Sequence, residues 1–177
     1  VNYMRRSETG VNEIKVMIEE GVIQKPIKAT VWYSKGLLNN GSHMLNLLEY
    51  WLGETNEISM INSGRSWQQN DPEPDFFARF EEGSAIFLSA WEEFFPHLTI
   101  EIVSPSGRLY YSRGGNEISW QPSKASKQSP NADFLSENLK INTDFDHYQF
   151  QFTKNLSLAL QGKESFISTG SDALSTL

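Results

Sequence analysis

Cysteine is absent from the 177-residue chain. That excludes a disulfide frame, a thiolate nucleophile and Cys-ligated zinc. Histidine is scarce, at His43, His97 and His147, so imidazole chemistry has few places to reside. No apolar run approaches the roughly 18 residues needed to span a bilayer. Positive charge is in deficit. The 15 Lys and Arg against 22 Asp and Glu leave a net charge of −7 and a pI near 5.0. This balance argues against a nucleic-acid or anionic-membrane surface, because both need clustered Lys and Arg. No GxGxxG turn occurs, and "SGR" at 63–65 and "SPSGR" at 104–108 are too short for a phosphate loop. With no signal-like N-terminus the expected compartment is the cytoplasm, where the sequons at Asn40 and Asn155 are chance matches.

What is present describes a globular domain. Hydrophobic residues make up 38%, with 11 Phe, 6 Tyr and 5 Trp, an aromatic supply too rich for a disordered chain. The length suits one domain with a true core. The chain starts at Val1 in strand-like "VNYMRR", without an initiator Met, and stops at Leu177 inside helix-like "TGSDALSTL". The expectation is a single domain over 1–177, excised from a longer protein.

Periodicity sets the element types. Val11, Ile14, Met17 and Ile18 recur at helical spacing over 8–20, with Gly21 as the stop. "PIKATVWY" at 26–33 alternates and reads as a strand. Met44, Leu47, Leu48, Trp51 and Leu52 form a helical stripe closed by Gly53. From about 56 to 121 the period changes to two. "EISMIN" reads as a strand, "SGRSWQQNDPEP" as a loop or ragged edge, and "DFFARFEEGSAIFLSAWEEFF" as a hairpin turning at Glu82-Gly83. "HLTIEIVSPSGRLYYS" reads as a second hairpin and "NEISW" as a further strand. Residues 122–142 read as a polar surface excursion. A helix is expected at about 144–161, with a capping box at Thr143 and Asp146 and a stop at Gly162. The fold class is α+β: an open, mostly antiparallel mixed β-sheet with helices packed on one face.

The stretch "NNGSHMLNLLEYWLG", Asn39 to Gly53, carries the main candidate. Asn-Gly favours a tight turn, and Ser42 or Asn40 is a fitting N-cap. His43 then falls in the first helical turn, where the dipole field disfavours imidazolium. A neutral ring can accept a proton or hydrogen-bond a hydroxyl, which suits work on an alcohol or carbonyl. From the segment alone, local capping or packing is the first reading of His43, and the reactive one stands second.

The run from "VNYMRR" to "LLEYWLG" resembles the start of the C-terminal domain of the Gfo/Idh/MocA family of NAD(P)-dependent oxidoreductases. The likeness rests on Arg5-Arg6, Gly21, Ile23, Gly41, His43, Leu52 and Gly53, in order. "FEEGSAIFLSAW", "IEIVSPSGRLYY" and "TGSDALSTL" continue it over nearly the whole chain. The resemblance implies a substrate-binding and oligomerisation domain, with NAD or NADP bound mainly by an N-terminal Rossmann domain that ends in a catalytic Lys. It implies a sugar, polyol or related hydroxy substrate and a fragment that is inactive alone. It also places His43 beside the nicotinamide and the substrate carbinol, where it helps that Lys move a proton. Asn39 and Asn46 depart from the pattern, since the family often has Asp at both positions. An amide can hydrogen-bond a hydroxyl but cannot take its proton. The alternative is therefore a non-catalytic sugar-binding or scaffolding relative.

Other residues are weighed against plainer roles. Asn39, Asn40, Arg5, Tyr33 and Lys35 are candidate substrate contacts. For Arg5 and Arg6 the competing role is a structural ion pair, and for Tyr33 and Lys35 simple surface placement. His97 and His147 lack partners at ligand spacing and read as structural. Glu92-Glu93 lies on a strand, where two neighbouring carboxylates face opposite ways, unlike a glycosidase dyad. Phe76, Phe77, Phe80, Phe87, Trp91, Phe94 and Phe95 put apolar groups on both sheet faces. One face suits the helices. The other suits a second subunit, a use of this sheet that is also usual in the family, so a homo-oligomer is expected.

Overall fold

The period-two stretch of the sequence becomes one open sheet. The computed structural model of the chain describes residues 2–68, 70–91, 94–125 and 133–176. Glu92-Glu93 lies outside the described residues, as does part of the 122–142 segment. The strands are β1 (Ile27–Tyr33), β2 (Thr55–Trp67), β3 (Asp71–Phe80), β4 (Gly83–Ser89), β5 (Thr99–Ser104), β6 (Gly107–Ser112), β7 (Glu117–Ala125), β8 (Asp133–Leu135) and β9 (Leu139–Ile141). Their spatial order is β2-β3-β4-β1-β5-β6-β7-β8, with β9 also on β7. β1 runs parallel to β4 and antiparallel to β5. The other pairs are antiparallel. The class is the expected one, α+β with a mixed, mostly antiparallel open sheet.

Alternation decides which side of the sheet is inner. Ile27, Ala29, Val31 and Tyr33 on β1 are buried, and they are continued by Phe76, Ala78, Phe87, Ile100, Ile102, Leu109 and Tyr111 on neighbouring strands. Against this face pack α1 (Thr9–Glu19) and α2 (Ser42–Leu52), whose apolar stripes complete the core. Each large aliphatic or aromatic side chain so buried contributes about 1.5–3 kcal/mol. Trp51 joins three elements. It is fully buried, its indole N–H donates to the Val11 carbonyl at 3.0 Å, and its ring meets Tyr111 edge-on at 6.0 Å.

Several local expectations are corrected. "VNYMRR" is not a strand, for Met4–Ser7 form a 3-10 turn that puts Arg6 and Ser7 inside. Glu8 then caps α1, accepting Val11 N–H at 2.9 Å and, on its other oxygen, Asp144 N–H at 2.7 Å. The "SGRSWQQNDPEP" segment is not a loop. β2 and β3 extend through most of it as a hairpin whose register shifts between Met60 and Asn62 and again between Asn62 and Arg65. Those bulges break strict alternation, which is why the strand signal fades. The 122–142 segment carries the end of β7 and the short strands β8 and β9. No capping box forms at Thr143 and Asp146. Thr143 Oγ1 donates to the Asn116 carbonyl, and a 3-10 turn at Phe145–His147 leads into α3 (Tyr148–Leu160). α3 rests on the Met4–Ser7 turn, and the final helix α4 (Gly170–Thr176) rests on α2.

Replacing Trp51 by Ala removes the indole's packing and its hydrogen bond together, and should lower stability by about 3–5 kcal/mol. Urea unfolding followed by tryptophan fluorescence checks this, and a loss below about 1 kcal/mol would show that α2 is not anchored there.

Candidate functional site

The candidate residues gather where β1 gives way to α2. After Tyr33 the chain passes through Lys35 and Gly36 with φ of +64° and +91°, then winds as a π-helical turn from Gly36 to Gly41. Such turns are rare and recur at functional sites. A Cβ at Gly36 would lie 2.0 Å from Asp71 Oδ2, so the close approach of the Asp71 carboxylate requires glycine there. Two carboxylates of β3 hold the turn. Asp71 accepts the N–H groups of Leu38 and Asn39 at 2.8 and 2.9 Å. Glu73, fully buried, accepts Gly36 N–H at 3.1 Å and the Arg65 Nε–H at 2.8 Å. Sequence reasoning missed both. Their one signal was two acidic residues spaced by two on a strand, which put them on one face.

The π turn runs into α2 without a break, because Gly41 already has helical angles. The expected N-cap is therefore absent. Ser42 Oγ donates backward to the Leu38 carbonyl at 2.8 Å, and Asn40 Nδ2 donates to the Ser34 carbonyl at 2.8 Å. His43 is neutral for another reason than a helix dipole. Burial comes first and the charge of Arg5 second, and together they lower its pKa from 6.5 to about 4. Its ring meets Tyr3 in a T-shape at 5.2 Å and 86°, and Nδ1 is buried with no hydrogen-bond partner among the described residues. The Arg5 side chain is held elsewhere as well, since its Nε–H reaches the Gly114 carbonyl at 3.4 Å and its guanidinium lies 5.8 Å from the Phe145 ring centre.

The remaining candidates divide into two groups. Asn39 and Asn40 lie on the π turn that Lys35 leads into, and Asn39 Nδ2 donates to the Lys35 carbonyl at 3.0 Å. Tyr33 is not at the surface. It is wholly buried beneath the turn, its hydroxyl donates to the Pro74 carbonyl, and burial pushes its pKa upward. An apolar cavity of about 180 Å³ opens beside the same turn, between Leu37, Leu45, Met60 and Phe76, and none of the candidate residues lines it. Arg6 takes the structural role. Its Nε–H donates to Asn46 Oδ1 at 2.8 Å, and its Nη1 lies 3.3 Å from Asp172 Oδ1. Asn46 faces this buried network and hydrogen-bonds Thr176. His97 packs against Trp32, and its backbone N–H donates to Ser34 Oγ. His147 is exposed and pairs with Asp144 at 2.7 Å, which raises its pKa.

The same fold occurs in solved oxidoreductases. No family model matches the chain, and no curated protein matches its sequence. An NAD-binding oxidoreductase from Klebsiella pneumoniae superposes with a TM-score of 0.76 at 13% identity, over 98% of this chain and 60% of that one. An aldose-aldose oxidoreductase from Caulobacter crescentus, complexed with glycerol, gives 0.69 at 16%, over 98% and 57%. A levoglucosan dehydrogenase in complex with NADH and L-sorbose gives 0.70 at 14%, over 99% and 60%. These structures are NAD(P)-binding oxidoreductases of the Gfo/Idh/MocA type, the type whose C-terminal domain the sequence resembles. The chain spans about 58% of the length of the structures it matches.

The lowered His43 pKa has a consequence for stability. The folded chain keeps the ring neutral down to about 4, whereas the unfolded chain protonates near 6.5. The stabilising contribution is fully present above 6.5 and is lost as pH falls toward 4. The urea midpoint should therefore drop between about pH 7 and about pH 5, and drop less in His43→Gln. Equal drops in the two proteins would contradict the assignment.

Proposed function

We propose that the chain is the substrate-binding and oligomerisation domain of an NAD(P)-dependent oxidoreductase of the Gfo/Idh/MocA family. It acts on a sugar, polyol or related hydroxy compound by hydride transfer. The observation that carries the reading is His43, neutral and half-buried, under the influence of the Arg5 charge and just after the π turn that bears Asn39 and Asn40. The names of two matched structures support the substrate class, and a third, the Klebsiella protein, is NAD-binding.

The fit to a nicotinamide cofactor is partial. His43 and Arg5 suit the reacting end, where a ring, a carbinol and a moving proton meet. The phosphate end finds no GxGxxG turn in this sequence. NAD or NADP therefore binds mainly through a Rossmann domain outside residues 1–177, and these residues alone do not turn over. The cofactor, when bound, accepts or returns the hydride. His43 forms a hydrogen bond to the reacting hydroxyl oxygen. Asn39 and Asn40, whose Nδ2 groups donate to the Lys35 and Ser34 carbonyls, offer their amide oxygens to neighbouring hydroxyls, and Lys35 stands just before the same turn. Arg5 keeps a second proton off His43 and meets any anionic substituent. Such a protein works in the cytoplasm. No helix among the described residues is long and apolar enough to cross a membrane.

A non-catalytic relative is the second reading, and Asn39 favours it because an amide there cannot carry a proton. Asn46 does not add to that case, since its side chain is taken up by Arg6 and Thr176.

The sheet face opposite the helices exposes Trp32, Ile86, Val103 and Tyr110 to 41%, 41%, 52% and 44%. Neighbouring strands bring these residues to one side, as Thr30↔Ile86 on β1–β4 and Glu101↔Tyr110 on β5–β6 show. A second copy covers this apolar face in the proposed assembly.

In the full-length protein, assayed with NAD⁺ or NADP⁺ and a panel of sugars, His43→Ala should lower kcat/KM by about 10²-fold or more. An unchanged value would remove His43 from catalysis, whereas no turnover of any sugar by the unaltered protein would favour the non-catalytic relative. Light scattering on the order of tens of micromolar should return the mass of a dimer or larger assembly, and a strictly monomeric mass would overturn the sheet contact.

A further inference from the structure

We propose that Tyr3 is a positioning residue that holds His43 with its proton on Nε2, so that His43 donates a hydrogen bond to the substrate oxygen instead of abstracting its proton. This rests on the oxidoreductase reading above and sharpens the part His43 plays in it.

Three observations carry the inference. Nδ1 is the inward nitrogen, buried and without a partner among the described residues. His43 as a whole is only half-buried, so the solvent-facing part of the ring lies away from Nδ1. Tyr3, only 2% exposed, meets the ring in a T-shape at 5.2 Å.

An imidazole usually has its tautomer set by a hydrogen bond at the nitrogen that does not react. Here that nitrogen has no such bond, so the choice falls to desolvation and packing. A buried N–H without an acceptor is rarer and costlier than a buried lone pair without a donor. The proton therefore sits on Nε2, where water or substrate can accept it. Tyr3, buried and packed edge-to-face on the imidazole, restrains the ring's rotation and so keeps Nδ1 turned inward. The charge of Arg5, with burial, opposes a second proton, so His43 enters the reaction as a neutral donor. A ring with so low a proton affinity is a weak base at neutral pH, and the proton that leaves the carbinol goes to another group of the full-length enzyme.

The test has two arms. In the first, nitrogen-15 NMR of the ring nitrogens is recorded on the 177-residue chain near neutral pH. The expected result is a bare Nδ1 and a protonated Nε2. Tyr3→Phe, which keeps the ring, should leave that ratio unchanged, and Tyr3→Leu should lower it about threefold or more. A dominant Nδ1–H form in the unaltered chain overturns the inference. So does a Tyr3→Leu spectrum identical to that of the unaltered chain.

The second arm uses the full-length enzyme and His43→Gln, whose amide N–H can stand where Nε2–H stands but cannot carry a proton. The variant should keep activity within about tenfold of the unaltered enzyme, against a loss of about 10²-fold in His43→Ala. Equal losses in the two variants would identify His43 as a base and overturn the proposal. A full-length protein inactive on every sugar, with the Nε2–H form nevertheless seen by NMR, would remove the oxidoreductase reading and leave the tautomer assignment standing.

Discussion

The middle of α2 carries one polar side chain on which the helical layer depends. Asn46 is buried to 1% exposure, and its amide cannot be left unpaired without a cost of about 1–3 kcal/mol. It is satisfied from both sides. Arg6 of the N-terminal turn donates to its oxygen at 2.8 Å, and its own Nδ2–H donates to Thr176 of α4 at 3.0 Å. Thr176 in turn donates toward Glu49, and Arg6 reaches Asp172. Segments about 40 and 130 residues away in sequence are thus brought to one amide group, and both ends of the chain are tied to α2. Eight of the eleven residues of α2 are buried, so the helix tolerates little displacement once these bonds are made.

The candidate site uses that rigidity. His43 lies one turn before Asn46, and its position follows from the same buried helix. At the other end, Asp71 and Glu73 hold the π turn against the start of β3. The site is therefore fixed from two sides, by a helix that cannot shift and by a turn that carboxylates grip. The hold on the turn runs through the backbone of Asn39, whose Nδ2 also donates to the Lys35 carbonyl, whereas no side-chain hydrogen bond among the described residues ties down the His43 ring.

Period-two alternation in β1, β3, β4, β5 and β6 and helical spacing in α1 and α2 were legible from the sequence, because these elements each bury one regular face. Legibility failed where burial is irregular. β2 is exposed along much of its length and interrupted by bulges, so its far half read as a loop. α3 has Asn155 as its one fully buried residue, and its expected cap went to other partners. Of the candidate site, the sequence placed Asn39, Asn40 and His43 on one segment and offered Lys35 separately with Tyr33. It could not show that Tyr33 points inward to Pro74, nor that Arg5, whose charge His43 feels, would be held by a carbonyl of Gly114, 109 residues away.

The sequence by itself determined the fold class and singled out the segment that carries the candidate residues. Both depend on local periodicity and on a short motif order that survives without knowledge of contacts. Only the tertiary structure decided why His43 is neutral. The helix start that the sequence promised is filled by a π turn, and the pKa is set by burial and by a cation brought from elsewhere in the chain. Desolvation and charge proximity are properties of the assembled interior, and no spacing along a single strand or helix encodes them.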